Sequence, residues 1–132
     1  MLLIGIFEKM HEIIEAPIAR APDTIILREV NQNGQYAKTE YFVKKIIYEK
    51  NYTILNVLLH TGRTHQIRVH MSYINHTLLG DDLYAKPNEI DIIKKYILRQ
   101  ALHAQNISFI HPILHTQTNI SASLPTDILN LI

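Results

Sequence analysis

Thr61-Gly62-Arg63-Thr64-His65-Gln66-Ile67-Arg68-Val69-His70 packs two arginines, two histidines, a glutamine and two threonines into ten residues. Apolar runs flank it, Ile54 to Leu59 before and Met71 to Leu79 after. Polar donors therefore sit at a junction between elements destined for burial. Thr61-Gly62 reads as a turn after a strand, because Gly permits backbone angles that other residues avoid. Thr64 follows as a helix cap, its hydroxyl accepting a first-turn N–H. Ile67, Met71 and Ile74 recur at i, i+4 and i+7, one face of a helix over about 64–75. The free N–H groups of such a helix start, beside Arg63, suit a phosphate.

Arg68 lies about 60° around the helix from Met71. It borders the apolar stripe, so its guanidinium points partly inward and needs an anion. No acid occurs between Glu49 and Asp81. The partner must be Asp81 or Asp82, a residue elsewhere in the fold, RNA, or a part of the protein outside this chain. A plain structural salt bridge is an equal reading, since ion-pair networks also occur away from active sites.

Working outward, Leu2 to Phe7 reads as a strand, and Glu8 to Ala16 as a short strand or loop closed by Pro17. Ile18 to Pro22 looks irregular. Thr24 to Val30 suggests a short strand before the turn Asn31-Gln32-Asn33-Gly34. Tyr36 to Tyr48 and Tyr52 to His60 are rich in β-branched and aromatic residues and read as an antiparallel hairpin turning at Glu49-Lys50-Asn51. After the central helix, His76 to Gly80 reads as a strand and Asp81-Asp82-Leu83-Tyr84 as a polar loop. Pro87 starts a helix through Leu98. Leu102 to Ile110 and Thr116 to Ser123 alternate with strand period, and Pro125 starts a last helical turn. The expectation is an α+β fold, a mainly antiparallel or mixed sheet with a few short helices, forming a single domain over residues 1–132.

A chain of 132 residues supports one modest core. At 47% hydrophobic and 19% charged it is globular, not disordered. The lack of cysteine excludes a disulfide scaffold and thiol catalysis, and fits a cytoplasmic protein. The apolar opening at Met1–Phe7 is too short for a membrane helix and lacks a basic leader. The net charge of +1 hides an uneven distribution. Residues 1–49 hold seven acids against six Lys and Arg, whereas residues 50–80 and 92–126 hold basic residues and histidines and no acid. Such ground permits contact with a polyanion without demanding it.

Eight histidines invite a metal. His65 and His70, five apart, lie about 140° apart on a helix, whereas metal-binding pairs share one face. No metal and no cofactor are expected. No serine has the setting of a catalytic elbow, and glycine-rich phosphate loops are absent.

The run Leu59 to Met71, followed by Asn75-His76-Thr77-Leu78-Leu79-Gly80-Asp81-Asp82-Leu83-Tyr84, resembles the C-terminal signature of the RluA/RluD-type RNA pseudouridine synthases. Glu15-Ala16-Pro17-Ile18, Ala37-Lys38-Thr39-Glu40-Tyr41, Arg99-Gln100-Ala101-Leu102-His103-Ala104 and His111-Pro112 resemble further family segments, in the same order. Thr77 departs from the proline usual there. The resemblance covers residues 1–125. It implies isomerisation of uridine to pseudouridine in structured RNA, ribosomal RNA in particular, by an aspartate without metal or cofactor. The base is flipped out of the stack into a pocket. The resemblance also implies that Arg68 pairs with that aspartate, that Leu102 packs beside the base, and that Arg63, Thr64, His65 and Gln66 face the RNA. The family's aspartate motif, H-R-L-D-x-x-T-S-G, has no counterpart in this chain. The sequence therefore looks like the C-terminal half of a synthase catalytic domain whose partner is the missing N-terminal half. Two functions follow as expectations: part of a synthase that is inactive alone, or a non-catalytic RNA-binding module.

Overall fold

The computed structural model describes all of residues 1–132. The strands are β1 (Leu2–Ile4), β2 (His11–Glu15), β3 (Ile18–Arg20), β4 (Arg28–Val30), β5 (Lys38–Ile47), β6 (Tyr52–Leu59), β7 (Asn106–Ile110) and β8 (Gln117–Ser121). The helices are α1 (Gln66–Tyr73), α2 (Ile90–Lys94) and α3 (Thr126–Leu129). The α+β expectation holds, with every named strand pair antiparallel. The chain forms two compact units, Met1–Ala101 and Leu102–Ile132.

In the first unit β5 and β6 form the long hairpin that their composition predicts, within a four-stranded sheet of order β1-β6-β5-β2. The turn between them is a short 3-10 helix, Tyr48–Lys50, closed by Asn51 in the left-handed region at φ 52°. Asn tolerates that region better than most side chains. Alternation sorts the sheet: Thr39, Tyr41 and Ile14 are buried on one face, while Phe42, Leu58 and Ile13 are exposed on the other. A register irregularity between Val43 and Lys45 interrupts the β5–β6 ladder.

Strand β1 is shorter than its apolar run. Gly5 takes φ 88°, and the chain leaves the sheet there. The outer edge of β1 is not open. Ile4 donates to the Thr77 carbonyl and Leu79 to the Leu2 carbonyl, at 2.9 and 3.1 Å. Residues 76–80 thus run beside β1, with a single bridge at Leu3–Leu78 in place of the expected strand.

Residues 18–20, expected to be irregular, form β3 paired with β4. The cause is tertiary: Ile18 and Ala37 close a buried cluster with Val69 of α1, against which Val30 and Tyr84 pack. The four residues between Pro17 and Pro22 carry no local signal for this.

In the second unit β7 and β8 form a hairpin whose residues are nearly all exposed. The helix α3 follows Pro125 as expected.

Candidate functional site

The polar stretch connects β6 to α1, and its first task is to lock that junction. Thr61 Oγ1 accepts the Lys38 N–H at 2.9 Å and donates to Gln66 Oε1 at 2.7 Å. Gln66 Oε1 also accepts the Arg63 N–H at 2.9 Å. Gln66 Nε2 donates to the Lys38 carbonyl and to Thr39 Oγ1, both at 3.0 Å. The Thr39 hydroxyl, 2.8 Å from His70 Nδ1, donates onward to it, and His70 Nε2–H donates to the Ala16 carbonyl at 2.9 Å. This pattern requires a neutral imidazole, and burial pushes the His70 pKa down. No buried side-chain nitrogen or oxygen lacks a partner.

Gln66 is therefore a scaffold residue. It is buried and its amide is fully engaged within the protein, so the expected RNA contact from Gln66 gives way to a structural role. The helix also begins later than expected. His65, not Thr64, precedes it, in the left-handed region at φ 56°, and no side chain caps the helix. The core face is turned accordingly: Gln66, Val69, His70 and Met71 are buried, while Ile67 and Ile74 are only partly so.

Arg68 finds its anion within the chain. Its Nε and Nη2 donate to Asp81 Oδ2 and Oδ1 at 2.7 and 2.6 Å. Asp81 is fully buried and the Arg68 side chain is 13% exposed. Of the partners that spacing left open, Asp81 is the one used here. The pairing raises the Arg68 pKa above its ordinary value, so the guanidinium stays charged. Its Nη1 edge carries no hydrogen bond. The Tyr84 ring lies under the guanidinium at 4.8 Å, a cation–π contact.

Tyr84 also ties β4 to the motif. Its hydroxyl accepts the Arg28 N–H at 3.1 Å and lies 2.8 Å from His65 Nδ1. Burial, then the charges of Arg68 and Arg28, push the His65 pKa down, so the ring is neutral near pH 7 and accepts the Tyr84 proton. Arg63 and Thr64 are exposed. Arg63 is steered by one bond, Nε to the Tyr36 carbonyl at 2.9 Å, which leaves both terminal nitrogens free. Arg63 lines an open cleft of about 330 Å³, together with residues of β3, the residues around Gly34, Arg28 and Thr64. Leu102 opens the second unit, where it is half-buried. His11 and His60 each bond one oxygen of the Glu40 carboxylate, at 2.7 and 2.8 Å, and no group of three His, Cys, Asp or Glu side chains has the arrangement to hold a metal ion.

Residues 3–73, which contain the sheet and the polar stretch through α1, match the model of a protein family described as RNA pseudouridylate synthase. The chain belongs to that family. Within it the chain is of the RluA/RluD type. It is 43% identical to an uncharacterized RNA pseudouridine synthase, YjbO, of Bacillus subtilis, over 97% of this chain and 42% of that one. It is 38% identical to ribosomal large subunit pseudouridine synthase D of Blochmanniella floridana, over 99% of this chain and 43% of that one. Among solved structures, human RNA pseudouridylate synthase domain containing 1 superposes with a TM-score of 0.76 at 25% identity, covering 94% of this chain and 52% of its own. The chain thus spans about two fifths of the length of these curated synthases. Tyr84, and the arginines Arg20 and Arg28 that line the cleft from the β3–β4 hairpin, escaped the reading of the motif alone. Tyr84 had a signal, its place in Gly80–Tyr84; the hairpin arginines had none.

Proposed function

We propose that this synthase-family chain is the C-terminal half of the catalytic domain of an RNA pseudouridine synthase acting on ribosomal RNA. The uridine isomerisation belongs to the whole protein, and the 132 residues alone are inactive. The observation that carries the reading is Arg68. Asp81 takes its Nε–Nη2 edge and fixes the guanidinium, while the Nη1 edge keeps free donors. A guanidinium held by one carboxylate and open along another edge is set to orient a second carboxylate. In the longer protein that second anion is the catalytic aspartate, which detaches and rejoins the uracil. Leu102 packs beside the flipped base, and Arg63, Thr64 and His65 lie on the RNA side. Ribosomal RNA as substrate implies a cytoplasmic location. No helix here is long and apolar enough to cross a membrane.

A non-catalytic RNA-binding module remains the second reading, and one observation favours it: Arg68 is neutralised without any outside group. The test is a pseudouridine assay on unmodified ribosomal RNA, with the chain alone and with a longer protein that supplies an aspartate motif. Turnover only in the longer protein, abolished by Arg68→Lys, supports the first reading. Turnover by the chain alone overturns the assignment of the nucleophile. A longer protein without turnover favours the module.

A further inference from the structure

The open cleft beside Arg63 has a composition that folding alone does not explain. Three of its lining residues are arginines, Arg20, Arg28 and Arg63, and none is acidic. Arg20 and Arg28 stand directly opposite each other in the β3–β4 register. Like charges at opposed positions of an antiparallel pair destabilise it. Neither arginine forms an ion pair, and an uncompensated like-charge conflict of this kind is expected where function is served.

Two of the three guanidinium groups are anchored through part of their donors, and the third is free. Arg28 Nη1 donates to the carbonyls of Ile25, Ile26 and Leu27 at 3.1, 3.2 and 3.0 Å, which anchors the group and leaves its other nitrogens unbonded. Arg63 is anchored through Nε alone. The Arg20 side chain is exposed and forms no ion pair, whereas Lys9, Lys38, Arg68 and Lys94 all do. Neutral polar groups complete the lining at Asn33, Gln35 and Thr64. Gly34 presses the intervening turn against β3: a Cβ there would come within 2.4 Å of the Ile18 carbonyl carbon.

We infer that this cleft seats a backbone phosphodiester of a polynucleotide, with Arg20, Arg28 and Arg63 as its three cations. Arginine forks match phosphate oxygens in geometry and charge. The lining offers no aromatic ring on which a base would stack, so the contact reads charge and position rather than base identity. The inference rests on the reading of the chain as RNA-directed, and extends it from the motif to the β3–β4 hairpin.

The experiment is a titration of the chain with a labelled RNA hairpin at several salt concentrations, alongside inorganic phosphate. Variants are Arg20→Gln, Arg63→Gln and, as a control on an exposed strand position outside the cleft, Lys44→Gln. Each arginine variant should weaken RNA binding several-fold at low salt. Each should reduce the slope of log affinity against log salt by about one, as for one lost phosphate contact. Arg20→Gln should do so without lowering the melting temperature, which a merely structural arginine could not. Phosphate should compete only at far higher concentration than the RNA. If the unaltered chain does not bind the hairpin, the RNA-directed reading fails and this inference with it. If it binds but the arginine variants keep the full slope, or Lys44→Gln loses as much, the seat alone is overturned. Phosphate that binds as tightly as RNA also overturns it, in favour of a free-phosphate site.

Discussion

Arg63 and Arg68 lie five residues apart in one motif and meet opposite fates. Arg68 sits against a fully buried carboxylate that takes two of its donors, with an aromatic ring beneath it. Arg63 stands in the open, steered by one backbone carbonyl and facing two other arginines and no acid. One arginine is saturated along one edge and stabilises the fold. The other is unsaturated at its tip and contributes little to it. The difference teaches that the motif has a structural side, turned to the sheet, and a side turned outward.

The largest effect should come from splitting the buried pair. Arg68→Ala or Asp81→Ala leaves one charge buried and unpaired, and should cost about 3–5 kcal/mol in denaturant unfolding of the chain. The double change Arg68→Met with Asp81→Leu should recover most of that loss. A melting curve unmoved by Arg68→Ala would remove the contrast, because Arg68 would then be as dispensable to the fold as Arg63. Next comes Gln66→Leu, which strands the Thr61 hydroxyl and the Arg63 N–H and should cost about 2 kcal/mol.

The third effect is a pH dependence. Burial depresses the His70 pKa below its ordinary 6.5, so the unfolded chain binds a proton there more readily than the folded one. The stabilisation is full above the unfolded pKa and is lost as pH falls through it towards the folded value. His65 is shifted the same way and adds the same sign. The midpoint of unfolding should therefore drop between about pH 7.5 and 5.5, before the carboxylates titrate. His70→Gln should start lower and show a flatter profile; an equally steep one would place the pH response elsewhere. The smallest effects belong to the open side. Arg63→Gln should change stability by less than about 0.5 kcal/mol. Arg20→Gln should raise it by a similar amount, since it relieves a like-charge pair.

Much of this was legible in the residues. The hairpin β5–β6 follows from its β-branched and aromatic run, and the turn at Asn31–Gly34 from its composition. The need of Arg68 for an anion followed from its place beside an apolar stripe, and Asp81 stood among the few candidates. What was not legible is instructive. Gln66 and His70 lie four apart on α1 and take the core face, which a hydrophobic pattern assigns to Ile67, Met71 and Ile74. Their burial is tolerable only because Thr39, Lys38 and Ala16, distant in sequence, join the nearby Thr61 and Arg63 in supplying every partner. The strand at Ile18–Arg20 was hidden for a similar reason: its pairing is with Arg28–Val30 and its burial against Val69. The opposition of Arg20 to Arg28 appears only once that register is known.

Strand β1 carries a consequence for the order of events in folding. Leu2 donates to the carbonyl of Ala101 and accepts from Leu79, while Leu3 pairs with Thr53. The hairpin β5–β6, by contrast, closes over a turn of a few residues. Bringing chain ends together costs more as the intervening loop lengthens, so local pairings form early and distant ones late. The first strand in the sequence should thus be among the last to dock, joining a hairpin already made. Until β1 docks, one edge of β6 stays bare. An exposed strand edge is where unwanted association begins. A slow final step, sensitive to substitutions at Leu2 or Leu79 and indifferent to those in the β5–β6 turn, would be its kinetic signature.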